Sequence, residues 1–224
     1  MPTLTRDEEV YVFDLGDDEN RFHPDWMTAV GSLLDEVAAA EGPRALVSTA
    51  TGKFFSNGLD IDWLGRHPEQ MTEYVHQVHA LFARVLAFPA PTVAALQGHT
   101  FAAGAMLALA HDWRHMRADR GFFCLPEADI NIPFTEGMTG LIMSKLTPAA
   151  ATEAMITARR FGGEDALAAG LVDAVADEDA LLAAAIERAR ALAAKDGPTL
   201  GTIKQRMYAA EVEVLLDTSG NPFG

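Results

Sequence analysis

Apolar positions in this chain recur in two rhythms. From Pro24 to about Ala40 they fall at helical spacing, with Trp26, Met27, Val30, Leu33, Leu34 and Val37 on one face. Gly42-Pro43 ends that run. Met71 to Phe88 repeats the pattern with Val75, Val78, Leu81, Phe82, Val85 and Leu86, and Pro89-Ala-Pro91 stops it. Between and after these helices lie short apolar runs of strand length: Glu9–Leu15, Arg44–Ala50, Thr92–Leu96, Asp112–Arg117 and Phe122–Leu125. Phe54 to Asp60 has no clear period, and Ile61 to Gly65 reads as a helical turn. Phe101 to Ala110 is apolar and small, and it predicts a helix. Further helices are predicted over Gly137–Leu146, Ala149–Thr157, Asp165–Ala169, Ala180–Ala194 and Pro198–Met207. Gly170 closes the third of these, and Leu171-Val172 is expected to form a short strand. The last fifteen or so residues are expected to be loosely ordered or helical at a subunit surface. Strands alternating with helices predict an α/β fold with much parallel pairing.

Composition narrows the partners. Among 224 residues, 49% are hydrophobic, which allows a large core. The formal net charge of −15 repels nucleic acid and anionic membrane surfaces. A small anionic ligand would need a locally basic entrance, for which Arg21, Lys53, Arg66, Arg84 and Lys204 are candidates. A single cysteine, Cys124, forbids an intrachain disulfide and, within the run GFFCLPE, reads as a buried inert thiol. The acidic start MPTLTRDEEV is not a secretory signal, and Phe101–Ala110 is about half the length that spans a bilayer. A soluble, cytoplasmic protein is expected.

The candidate chemistry lies in two short runs. Phe101-Ala-Ala-Gly-Ala105 places small residues at a helix start, where the first N–H groups lack internal partners and the helix dipole adds positive charge. Such donors can hold a developing oxyanion, although taken alone the run reads more readily as close helix packing. Phe54-Phe-Ser-Asn-Gly-Leu-Asp60 places Gly58 before a helical turn, so that the Leu59 N–H could face a cleft; read plainly, it is a strand-to-helix turn capped by Asp60. His111 and His115, or His76 and His79, have no companion acid or cysteine that suggests zinc, and His99 reads as a packed turn residue. No G-x-S-x-G, P-loop or dinucleotide glycine motif occurs.

Together these runs, each after a strand and about forty residues apart, resemble the crotonase superfamily, the enoyl-CoA hydratase/isomerase family. PTVAALQGHTFAAGAMLALAHD is similar to its oxyanion strand and helix, FFSNGLD to its other oxyanion segment, LPEADINIP to its catalytic-glutamate segment, and FGGEDALAAGLVDAV to a later helix-and-strand signature. The resemblance covers about residues 8 to 210. It implies a crotonase-like spiral of β-β-α turns with a C-terminal helical region. On that reading residues 1–197 form the core and residues 198–224 form a short helical segment used in trimer packing, giving a homotrimer or a dimer of trimers. The implied ligand is an acyl-coenzyme A thioester. No separate cofactor is implied, because coenzyme A is part of the substrate, and no metal is implied. The implied oxyanion donors are Leu59 and Ala103, and the implied substrate-contacting residues are Phe55, Asn57, Gly58, Asp60, Met106 and Phe134.

The resemblance also bears on the reaction. Family hydratases carry one glutamate two residues after the helix glycine and a second in a Pro-Glu segment. Here the first position is Met106, which cannot polarise water, and the second is Glu127. A further acid, Glu136 in Phe134-Thr135-Glu136-Gly137, resembles the base segment of peroxisomal-type Δ3,Δ2-enoyl-CoA isomerases, while Glu127 resembles the base of the mitochondrial type. Moving a double bond from C3–C4 to C2–C3 needs one base and two oxyanion donors, and no water. The expectation is therefore an isomerase using Glu136 or Glu127. The alternatives are a hydratase in which both acids act together, or a non-catalytic acyl-CoA binder.

Overall fold

The computed structural model describes residues 1–223. Its strands are β1 (Thr3–Asp7), β2 (Val10–Asp14), β3 (Ala45–Thr49), β4 (Phe54–Ser56), β5 (Thr92–Leu96), β6 (His99–Phe101), β7 (Trp113–Arg117), β8 (Phe123–Cys124) and β9 (Ala174–Ala176). Its helices are α1 (Pro24–Ala39), α2 (Ile61–Arg66), α3 (Met71–Leu86), α4 (Ala103–Ala110), α5 (Glu127–Ile130), α6 (Glu136–Lys145), α7 (Pro148–Thr157), α8 (Gly163–Ala168), α9 (Glu178–Arg190), α10 (Pro198–Met207) and α11 (Ala209–Leu216).

A six-stranded sheet runs β1-β2-β3-β5-β7-β9 and a three-stranded sheet runs β4-β6-β8. Every pairing within the two sheets is parallel except β1 with β2. Three successive strand pairs, β3/β4, β5/β6 and β7/β8, each give one strand to either sheet before the chain turns into helix. The β-β-α repeat of a spiral is thus present. Every residue of β3 and β5 is buried, as parallel strands covered on both faces require. One face packs Val10, Ala45, Val47, Val93 and Ala95 against Leu181, Ala185 and Ala189 of α9. The other face joins the larger core formed with α1, α3 and α4.

Several elements differ from the sequence expectation, among them the unpredicted edge strand β1 and the short strand β4. The helix predicted from Phe101 begins at Ala103, because residues 99–101 pair with β4 and β8 instead. The strand expected at Leu171-Val172 lies at Ala174–Ala176. Leu171 and Val172 instead turn their N–H groups back to the Ala166 carbonyl as the end of α8. The short helix α5 carries no periodic signal in the sequence and was not expected. Among the last residues, α11 packs on α3 and α6 and buries Leu215 against Gly137.

Candidate active site

The two oxyanion runs meet because two glycines allow backbones to touch. Gly58 has φ +78°, and a Cβ there would lie 2.8 Å from the Ala103 nitrogen. Gly104 crosses β4 so closely that a Cβ would lie 2.5 Å from the Ser56 carbonyl oxygen. The loop around Leu59 is pinned on both sides. Phe22 N–H donates to the Gly58 carbonyl at 2.8 Å, Gly58 N–H donates to Ser56 Oγ at 3.1 Å, and Asp60 N–H donates to Tyr74 Oη at 2.9 Å. The Leu59 N–H between them has no acceptor among the described residues. Ala103 is the first residue of α4, whose N-terminal N–H groups have no intrahelical partner. The preceding residue, Ala102, sits at φ +51°, ψ −127°, turning the chain sharply out of β6 into the helix.

Leu59 and Ala103 line one cavity of about 270 Å³, together with Asn57, Met106, Met138 and Glu127. Glu127 opens α5 directly after β8. It is 6% exposed, and its Oε2 has no hydrogen-bond partner among the described residues. Burial pushes its carboxyl up from 4.5 to about 7. Met106 lies one turn into α4, is buried, and contributes an apolar side chain to the cavity wall. The cavity therefore brings together one candidate backbone donor in a glycine-turned loop, one at a helix start, one carboxylate basic enough to work near neutral pH, and mainly apolar walls.

The family model described as enoyl-CoA hydratase/isomerase matches residues 6–218. The chain belongs to the enoyl-CoA hydratase/isomerase family. It is similar to Enoyl-CoA delta isomerase 3 of Arabidopsis thaliana, at 35% identity covering 99% of this chain and 97% of that protein. It is also similar to Enoyl-CoA delta isomerase 2, peroxisomal, of the same plant, at 35% identity covering 93% and 92%. Among solved structures, a probable enoyl-CoA hydratase of Mycobacterium tuberculosis H37Rv superposes with a TM-score of 0.85 at 27% identity, covering 96% of this chain and 91% of that one. Human mitochondrial delta3-delta2-enoyl-CoA isomerase shares the fold with a TM-score of 0.87 at 24% identity, covering 96% and 86%. The expected α/β crotonase-like fold is thereby confirmed.

Within this enoyl-CoA hydratase/isomerase fold the candidate residues divide. Leu59, Ala103, Asn57, Met106 and Glu127 share the cavity. Glu136 does not. It is exposed at the start of α6 and lines a neighbouring cleft of about 330 Å³ with Phe134 and His79. Phe55 is fully buried in the core. Asp60 accepts from Trp63 N–H at 2.9 Å and caps α2, as its plainer reading held. Gly58 acts through backbone approach rather than as a lining residue.

Of the candidate basic groups, Arg21 lines both the cavity and an outer cleft that also holds Arg66. Lys204 is buried, donating to Asp112 Oδ2 at 2.5 Å and to the Ala90 carbonyl at 2.8 Å, and Arg84 pairs with Asp35. His99 lies in β6 and packs among Phe54, Phe101 and Phe122. Cys124 donates to the Ala158 carbonyl at 3.2 Å, and burial pushes its thiol up to about 11. Ile130, Ile132, Pro133 and Phe223 complete the cavity wall. Ile130, Ile132 and Pro133 fall within the LPEADINIP segment but were not singled out as lining residues, and nothing marked Phe223, because membership of the wall depends on how α5 and the C-terminal residues fold back.

Proposed function

We propose that this protein is a Δ3,Δ2-enoyl-CoA isomerase with Glu127 as its base. The thioester oxygen of a 3-enoyl-CoA sits between the Leu59 and Ala103 N–H groups. The Glu127 carboxylate removes a proton from C2; the C2–H electron pair forms a C1=C2 bond and displaces the carbonyl π pair onto the thioester oxygen, giving a dienolate that collapses through C2=C3 as C4 takes the proton. The same carboxyl returns the proton at C4, giving the 2-enoyl thioester. Two aligned donors in a desolvated site stabilise that charge strongly.

The observation that carries this reading is the placement of one buried, unpaired carboxylate with both free N–H groups in a cavity where Met106 occupies the place of a second acid. The relatives named delta isomerases at 35% identity support the same direction. Glu136, in its separate exposed cleft, is less suited to the role, because a solvated carboxylate is a weak base. Arg21, which lines both the cavity and the outer cleft and pairs with Glu19 at 2.5 Å, is the basic group proposed to meet the anionic coenzyme. A homotrimer or a dimer of trimers is the assembly proposed from the resemblance, and the cytoplasm is the location proposed from the sequence.

The test is to give purified enzyme 3-enoyl-CoA and 2-enoyl-CoA side by side. Double-bond shift without hydration, lost in Glu127→Gln and kept in Glu136→Gln, is the expected result. Fast hydration with no shift, or a shift lost only in Glu136→Gln, refutes the assignment. A protein that binds acyl-CoA yet turns over neither substrate would be a non-catalytic member of the family.

A further inference from the structure

The Glu127 cavity and the Glu136 cleft share two wall residues, Pro133 and Phe223. Pro133 belongs to the segment between α5 and α6, so it is held by helices on both sides. Phe223 is held differently. After α11 ends, the chain is shaped by two local turns: Ser219 N–H donates to Asp217 Oδ1 at 2.8 Å, and Phe223 N–H donates to Asn221 Oδ1 at 3.1 Å. Among the described residues, no backbone hydrogen bond ties 218–223 to the rest of the protein. The half-buried Phe223 ring packs against the main core and forms the wall between the two spaces.

We propose that Phe223 determines acyl-chain length by closing the end of the acyl cavity that faces the Glu136 cleft. This rests on the isomerase reading of the Glu127 site. At about 30 Å³ per water-sized group, about 270 Å³ accommodates a thioester head and a short acyl chain. Removing the ring joins this space to the about 330 Å³ beyond it, roughly doubling the room available to a chain. A side chain anchored by apolar contact alone can also be substituted without breaking a hydrogen-bonded network. Phe223→Ala lengthens the accepted chain, and Phe223→Trp shortens it.

The experiment measures kcat/KM for 3-enoyl-CoA substrates from about six to about sixteen carbons in the wild type and both variants, where each well-packed methylene changes the value severalfold or more. In parallel, calorimetry measures Kd for saturated acyl-CoAs of the same lengths, which needs no turnover. The expected result is that the long-to-short ratio rises ~10-fold or more in Phe223→Ala and falls in Phe223→Trp, in turnover and in binding alike. A ratio unchanged in both variants, with all lengths scaled together, overturns the proposal. If the wild type shifts no double bond, the isomerase reading fails. The binding series then still decides the role of Phe223.

Discussion

Replacing Glu127 by Gln should make the protein more stable and less active, with the stability gain confined to higher pH. The substitution keeps the shape of the side chain and removes its charge. In the folded protein the carboxyl holds its proton up to about pH 7, whereas in the unfolded chain it gives it up near 4.5. Between those values the folded state binds more protons than the unfolded state, so stability falls as pH rises through the window. At about 1.4 kcal/mol per pH unit, the full loss above pH 7 is about 3 kcal/mol, and at pH 5 it is still under about 1 kcal/mol. The Gln amide lies in the same cavity at every pH, so its own contribution cancels when two pH values are compared. Relative to wild type, Glu127→Gln should therefore gain about 2–3 kcal/mol between pH 5 and pH 8. For a chain of this length that is roughly 5–10 °C in Tm, read by thermal unfolding at fixed protein concentration. Isomerase turnover in the same samples should fall ~10²–10⁴-fold. A stability difference independent of pH would show that the carboxylate is not desolvated, and the account of its basicity would fail with it.

Other expectations follow from the same geometry. In the wild type, kcat/KM should rise with pH on an apparent pKa of about 7, since the base must be ionised in the free enzyme; a profile already flat from pH 5 contradicts this. Gly58→Ala should lower turnover ~10²-fold or more and destabilise the fold by about 1–3 kcal/mol, because its Cβ would meet the Ala103 nitrogen at 2.8 Å in a backbone region that disfavours side chains. Ala102→Gly should raise Tm by about 2–4 °C, because it relieves a positive φ at the N-cap of α4; an unchanged or lowered Tm argues against strain there. Met106→Glu puts a second carboxylate beside Glu127. The apparent pKa of kcat/KM should then move up by about a unit, as like charges resist ionising together; an unmoved profile places the two groups apart.

The periodic faces of α1 and α3 and the mostly apolar, fully buried runs of β3 and β5 were legible, because burial leaves an apolar signature in the sequence. The edge strand β1, with the polar sequence TLTRD, left none, since an exposed strand needs no apolar alternation. β6 was hidden inside an apolar run that reads as helix, and only pairing with β4 and β8 makes it a strand. Gly58 before Leu59 and the small-residue start of α4 were legible as local features, because glycine freedom and helix starts act within a few residues; the roles of Leu59, Ala103, Met106 and both glutamates came from the resemblance of their segments to the family.

The sequence by itself thus determined the α/β class, the family, the two oxyanion segments and a choice between two acids. Tertiary structure alone decided which acid shares the cavity with the donors. Glu127 and Glu136 are nine residues apart in the chain and equally acidic on paper. Folding buries the first against apolar walls and raises its basicity, and leaves the second in water beyond Phe223. Desolvation depends on everything packed around a group, including the Phe223 ring from the far end of the chain, and no local pattern of residues encodes it.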